Sequence, residues 1–234
     1  MELREATWTD AEAADSDLAV LPVGSTEQHG PHAPLGTDVE TARAVAEAGV
    51  DAYGDEAVVA PAVPVGVAEE HRRFAGTLWV SEDTFRDYVR ETVASLAHHG
   101  WDRVVVVNGH GGNVGPLREV CGRITRHDDA YAVPFTWFDA VDAPDMGHGG
   151  PVETSALLHV SAAVREDRLD EAADGAAEGW GEWQSGVNLA YDTAEFSENG
   201  TVGDPRTASA ERGAELLDEA AAALADLLER IENR

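Results

Sequence analysis

The stretch "RVVVVNGHGGN", residues 103–113, decides the fold. Its four valines, Val104 to Val107, run without a polar alternate. A short continuous apolar run of this kind fits a strand covered on both faces, the central position of a parallel sheet. The residues after it are of opposite character. Asn108, His110 and Asn113 are interleaved with Gly109, Gly111 and Gly112. In open α/β sheets, ligands gather beyond the carboxyl ends of the strands. His110 and Gly111 therefore stand where a site is expected. An anion nest at the start of the following helix fits the same residues. A phosphate loop does not, because there is no Gly-Lys-Ser/Thr and no lysine anywhere in the chain.

Outward from this stretch, strand-like and helix-like segments alternate. Leu18 to Val23 reads as a buried strand, and Asp38 to Ala52 as a helix with Thr37 as N-cap and Glu40 closing a capping box. Ala57 to Val65 reads as a strand broken by prolines. Ser81 caps a helix with Phe85, Val89, Val93 and Leu96 on one face, and Asn113 opens another through Val114, Leu117, Cys121 and Ile124. Tyr131 to Phe135 is a further strand, and Pro151 takes a first helical position. Residues 175–203 are Gly-rich and poorly periodic, whereas Glu211 to Ile231 is strongly amphipathic through Leu217, Leu224, Leu228 and Ile231. This alternation predicts an α/β layered fold with a mostly parallel central sheet. At 234 residues without linker or repeat, the expectation is a single domain spanning 1–234.

Composition bounds the function. Forty-five acids face sixteen bases, all arginine, for a net charge of -29. Such a surface repels nucleic acid and anionic membranes. The acid excess is spread along the chain, which suggests adaptation to high salt, where self-repulsion is screened. Cys121 is the sole cysteine, which excludes an internal disulfide framework and a Cys-rich zinc site. No apolar run reaches the roughly eighteen residues of a membrane span, and the acidic first residues do not resemble a signal peptide. A soluble, cytoplasmic protein is expected.

Three polar stretches fall after predicted strands. The first, "GSTEQHGPHAPLGTD" (24–38), offers Glu27, His29, His32 and Asp38. Glu27 and His29 lie two apart, so in an extended segment their side chains point the same way. Carboxylate plus imidazole suits zinc or manganese, and Asp38 adds a carboxylate able to bridge two ions. Each also has a plainer role: Asp38 as a first-turn acid on a helix dipole, Glu27 as one more surface acid. The second stretch supplies His110. The third, "GHGGPVETS" (147–155), supplies His148 just before a helix and Glu153 in its first turn. His148 suits proton transfer; Glu153 equally suits the helix dipole. A fourth, "EEHRRFAGT" (69–77), places Glu70 and His71 where they line a substrate or form a solvated turn. Trp180, Trp183 and Tyr191 suit either a ligand or an interface.

Together with "LPVGSTEQHGPHAPLGTD" and "ENGTVGDP", these motifs resemble the creatininase family of amidohydrolases, in family order and over most of the chain. Length and the last motif are most similar to the branch that includes the mycofactocin-system peptidase. The resemblance implies a three-layer α/β/α sandwich, hexameric assembly, and hydrolysis of a C–N amide bond by water activated on one or two divalent ions (Zn, Mn or Fe). It implies metal ligands at Glu27, His29, Asp38 and His110, with Asp38 bridging, and His148 as the proton-transfer group. Glu153 then stands near the metal water or substrate, with Glu70, His71 and Gly111 on the substrate side. Two departures argue against creatinine as substrate. Gly112 stands where creatinine hydrolases carry a glutamate ligand, and Pro144 where they carry a tryptophan. Alternatives within this frame are a formamide deformylase of flavin or deazaflavin synthesis, favoured by arginines at the pocket, and a family member that binds metal without turnover.

Overall fold

The computed structural model describes all 234 residues. The elements run α1 (Trp8–Glu12), β1 (Leu18–Val23), α2 (Thr37–Tyr53), β2 (Val58–Val59), α3 (Glu82–His98), β3 (Arg103–Asn108), α4 (Val114–His127), β4 (Tyr131–Thr136), α5 (Pro151–Val160), α6 (Leu169–Asp174), β5 (Trp183–Gln184), β6 (Val187–Asn188) and α7 (Ala210–Glu232). Four parallel strands form one sheet in the order β2-β1-β3-β4, and β5 and β6 form a separate antiparallel hairpin. The valine run is central, as expected.

The period of two along the strands divides the core into two layers. Ala19, Leu21 and Val23 of β1 and Val104 and Val106 of β3 pack with Phe85, Val89 and Val93 of α3 and Leu117, Cys121 and Ile124 of α4. Leu18 and Val20 with Val105 and Val107 face the other way, onto Val45 of α2, Val152 of α5 and Leu216, Leu224 and Leu228 of α7. Helices thus cover both faces, which makes the α/β/α sandwich. Each fully buried Val or Leu in these layers contributes about 1.5–3 kcal/mol.

Register is what creates a site. Val23 of β1 pairs with Asn108 of β3, and Asn108 with Thr136 of β4. Three parallel strands therefore end level, and the loops leaving them must share one edge.

Two local expectations need correction. The Thr37–Glu40 capping box does not form. Gly36 is the N-cap, and Thr37 Oγ1 donates to Pro34 O at 2.7 Å. Glu40 is drawn away to Arg43 at 3.1 Å. The strand over 57–65 shrinks to Val58–Val59 plus a bridge from Val23 to Val63. Pro61 and Pro64 remove the amide donors a longer ladder would need. Asn113 precedes α4 without capping it. Its side chain accepts from Val67 N at 3.0 Å and donates to Gly24 O at 3.1 Å, tying two edge loops together. Ser81 does cap α3, accepting from Thr84 N.

Candidate metal centre

The loop after β1, the start of α2, the exit of β3 and the start of α5 bring Glu27, His29, Asp38, His110, His148 and Glu153 together, all buried. Asp38, in the first turn of α2, spans the group. Its Oδ1 lies 3.0 Å from His29 Nε2 and its Oδ2 3.3 Å from His110 Nδ1. Glu27 Oε2 is 3.1 Å from His110 Nδ1, and Glu153 Oε2 is 3.7 Å from His29 Nε2. Glu27, Asp38 and His110 form one set of potential ligand atoms, His29, His148 and Glu153 a second, and Glu27, His71 and His148 a third.

The outward nitrogens of the histidines reveal what faces inward. His29 Nδ1 meets Glu27 O at 3.2 Å, His110 Nε2 meets Val67 O at 2.6 Å, and His148 Nε2 meets Gln28 O at 2.6 Å. A carbonyl only accepts, so in neutral imidazole each of these nitrogens carries the proton. The inward nitrogen of all three then presents a lone pair. A backbone carbonyl behind the ring is a common way to fix a metal-binding histidine.

Inward-facing lone pairs meet carboxylate oxygens here. Glu27 Oε1 and Oε2, Asp38 Oδ2 and His29 Nε2 are buried without a hydrogen-bond partner. Acceptors crowded against acceptors out of water need a cation. Mixed nitrogen and oxygen donors suit zinc, manganese or iron.

A proton can supply part of that charge when no ion does. Burial opposes charge on His29, but Asp38 and Glu153 outweigh it and push its pKa up to about 10. Burial raises Glu27 to about 7 against the pull of His110, and raises Glu153 to about 7 against His29. Burial opposes charge on Asp38 too, but His29 and His110 outweigh it and hold it down at about 2. Burial and the neighbouring His29 keep His148 well below the usual imidazole range, so it rests neutral. The sign for stability follows from His29. A folded pKa raised from about 6.5 to about 10 gives stabilisation fully present below pH 6.5 and lost as pH rises through 10. Chelated protein should therefore melt at progressively lower temperature as pH rises from 7 to 10. Addition of zinc, whose binding displaces that proton, should remove most of this dependence.

The remaining candidates take distinct places. His71 is buried at 1% exposure, not in a solvated turn. Its ring stacks on His148 at 4.3 Å, and His148 meets His29 at 4.2 Å with the rings tilted by 35°. Glu70 and Gly111 line the adjoining cavity of ≈ 750 Å³, with Gly112, Pro144 and Trp180. His32 stays outside the cluster, with Nε2 2.9 Å from Thr154 Oγ1. Gln28 and Thr193 were not singled out from sequence. Gln28 was legible, as the residue between Glu27 and His29, whereas Thr193 sits 122 positions from His71 and carries no local signal. Trp180, from the irregular 175–203 segment, edges onto both His71 and His148 at 5.8 and 5.9 Å, so an aromatic wall is present although Pro144 supplies none.

The model of the family described as "Creatininase: Creatinine amidohydrolase" matches residues 4–228. This chain is a member of the creatininase family. A mycofactocin precursor peptide peptidase of Mycolicibacterium smegmatis is 39% identical over 91% of this chain and 85% of its own length. The creatinine amidohydrolase of Pseudomonas putida is 28% identical, covering 96% and 94% respectively. Among solved structures, a mutant creatininase of Zn-Zn type superposes with a TM-score of 0.86 at 26% identity over 100% of this chain and 98% of that one. A manganese creatininase gives 0.85 at 26% identity, over 100% and 99%. These creatininase structures bear out the α/β fold, and their zinc and manganese forms accord with the buried His and acid clusters.

Proposed function

We propose that the chain is a metal-dependent amidohydrolase that cleaves a C–N amide bond of a small molecule or peptide. The observation that carries this reading is the set of inward lone pairs facing unpartnered carboxylates beside a ligand-sized cavity. Glu27, Asp38 and His110 would hold one divalent ion, and His29, Asp38 and Glu153 a second. A divalent ion there supplies Lewis acidity, acidifying water and polarising a carbonyl oxygen. His148 offers its Nδ1 lone pair into the site. It takes the proton released when water adds to the amide carbon and returns it to the leaving nitrogen, which is otherwise too basic to depart. The His148 ring is buried except where it lines the cavity, so a bound substrate would keep bulk water from competing for that proton.

The cavity wall narrows the substrate. Glu70, Asp145, Glu178 and Asp204 line it. No arginine lines it: Arg212 and Arg206 are taken up by Asp145 and Asp204 of the wall, Arg72 and Arg73 both by Asp192, and Glu70 and Glu178 stay without an ion pair. An acidic wall without a free cation disfavours a phosphorylated formamide, and supports a neutral or cationic amide. Similarity to precursor peptide peptidases supports a peptide.

The test is a panel of creatinine, formamides with and without phosphate, short peptides with free C-termini, and peptide amides. It is run on protein stripped by chelation and then reloaded with zinc, manganese or iron(II). Hydrolysis of a peptide or neutral amide only after reloading is expected. Equal hydrolysis by stripped protein, or none by any loaded form, would defeat the reading.

The acid surface supports adaptation to salt, in a cytoplasmic hexamer of the family type. At about 1 M salt the screening length is about 3 Å. Relief of even about 3 kcal/mol of repulsion raises the Tm of a chain this size by roughly 6–12 °C. Melting in dilute and molar KCl should show such a rise, and a flat response would count against the adaptation. Light scattering reads the assembly state.

A further inference from the structure

Four buried histidines surround the acids, and one of them is wired in reverse. His29, His110 and His148 each give their outer proton to a backbone carbonyl. The outer nitrogen of His71, Nδ1, meets the side-chain nitrogen of Gln28 at 2.8 Å and Thr193 Oγ1 at 3.0 Å. The Gln28 amide cannot be turned over. Its Oε1 accepts from Gly30 N at 2.9 Å and its Nε2 donates to Gly200 O at 3.1 Å. Gly200 holds the amide closely, since a Cβ there would lie 1.9 Å from Gln28 Oε1, and its φ of +86° favours glycine. The amide therefore offers His71 an N–H, the Thr193 hydroxyl can offer its proton to the same atom, and Nδ1 must accept. The proton of a neutral His71 is then on Nε2.

That Nε2 faces the site. It lies 3.5 Å from Glu27 Oε1, which has no hydrogen-bond partner, and His71 lines the cavity beside His148 and Glu153. In the neutral form that metal binding requires, the other three imidazoles present lone pairs and His71 presents a proton. We propose that His71 is a catalytic residue whose Nε2–H donates a hydrogen bond to the substrate carbonyl oxygen as it gains negative charge, and that Gln28 is the positioning residue that fixes the required tautomer. The inference rests on the hydrolase reading above. No bond is made or broken at His71. As water adds to the amide carbon, the π pair of the carbonyl moves onto its oxygen, and the His71 donor stabilises that charge until the C–N bond breaks. A preorganised donor of this kind typically contributes ~10²–10³-fold in kcat. A plainer role is support of Glu27, in which case loss of His71 would cost metal and not rate.

Two measurements decide between them. Long-range ¹H–¹⁵N correlation on zinc-loaded, ¹⁵N-histidine-labelled protein should show His71 protonated at Nε2. Gln28→Glu should move the proton to Nδ1, because a carboxylate can only accept. A wild-type His71 protonated at Nδ1 overturns the proposal whatever the activity. On the panel member that wild type hydrolyses, His71→Phe keeps the stacked ring without the proton and should lower kcat ~10²–10³-fold with KM and zinc content near wild type. His71→Gln, whose amide nitrogen can reach the Nε2 position, should recover part of the rate. Zinc lost in parallel with activity, or His71→Phe as fast as wild type, overturns this proposal alone. A zinc-loaded wild type inactive on every panel member overturns the hydrolase reading instead.

Discussion

Asp38→Ala should strip the protein of metal and of hydrolysis together, with activity down at least about a thousandfold. Asp38 is the one carboxylate within hydrogen-bond range of both inward histidine nitrogens, at 3.0 Å from His29 Nε2 and 3.3 Å from His110 Nδ1. Its removal separates the two ligand sets and takes a charge from each. It also leaves His29 and His110 facing only Glu153 and Glu27 across longer or fewer contacts. The variant should still fold, because Asp38 contributes nothing to either apolar layer. Asp38→Asn keeps the shape and one acceptor but no charge, and should retain metal weakly. Elemental analysis of protein passed through a desalting column, beside circular dichroism and the hydrolysis panel, reads all three. Full metal content in Asp38→Ala would refute the bridging role.

The placement of Asp38 was readable from sequence for a physical reason. Continuous apolar strands such as Leu18–Val23 and Val104–Val107 must be central, and parallel strands ending in register must empty their loops at one edge. Glu27, His29 and His110 sit within a few residues of such ends, and Asp38 opens the helix that the first of these loops leads into, so strand ends and a helix start together bring them to one edge. Helix α3 was equally legible, since Ser81 and its apolar face are local features. The capping box at Thr37 was not, because Pro34 O lies in reach of Thr37 and Arg43 in reach of Glu40, and both competitors win. Nor could sequence place His71 or Trp180. Both come from segments without periodicity, and their positions depend on partners such as Thr193 and Phe196 far from His148 in the chain. The identity of an imidazole as donor or acceptor is further still from the sequence. It depends on which atom stands behind the ring, a carbonyl for His148 and an amide nitrogen for His71.

Gly112→Glu, which introduces the acid that the family resemblance assigns to creatinine hydrolases at this position, should weaken metal binding by about 10–100-fold, not strengthen it. A Cβ at Gly112 would stand 2.1 Å from Val67 O, 2.6 Å from His110 Nε2 and 3.1 Å from Glu70 Oε1. The space is taken by the carbonyl that holds the proton of His110 at 2.6 Å. Any side chain at 112 must push the Val67 segment away. His110 Nε2 then loses its acceptor, the ring can turn or change tautomer, and Nδ1 no longer points reliably between Glu27 and Asp38. A buried N–H left without a partner costs about 1–3 kcal/mol. The new carboxylate would also meet Glu70, already raised by burial, and add like charge to an acidic wall. Gly112→Ala should act in the same direction through the Val67 clash alone, which separates the steric cause from the electrostatic one. Zinc affinity measured by competition with a chromophoric chelator tests both. Tighter zinc binding in Gly112→Glu would mean that the Val67 carbonyl is not what fixes His110, and that the glycine marks a lost ligand and not a rebuilt site.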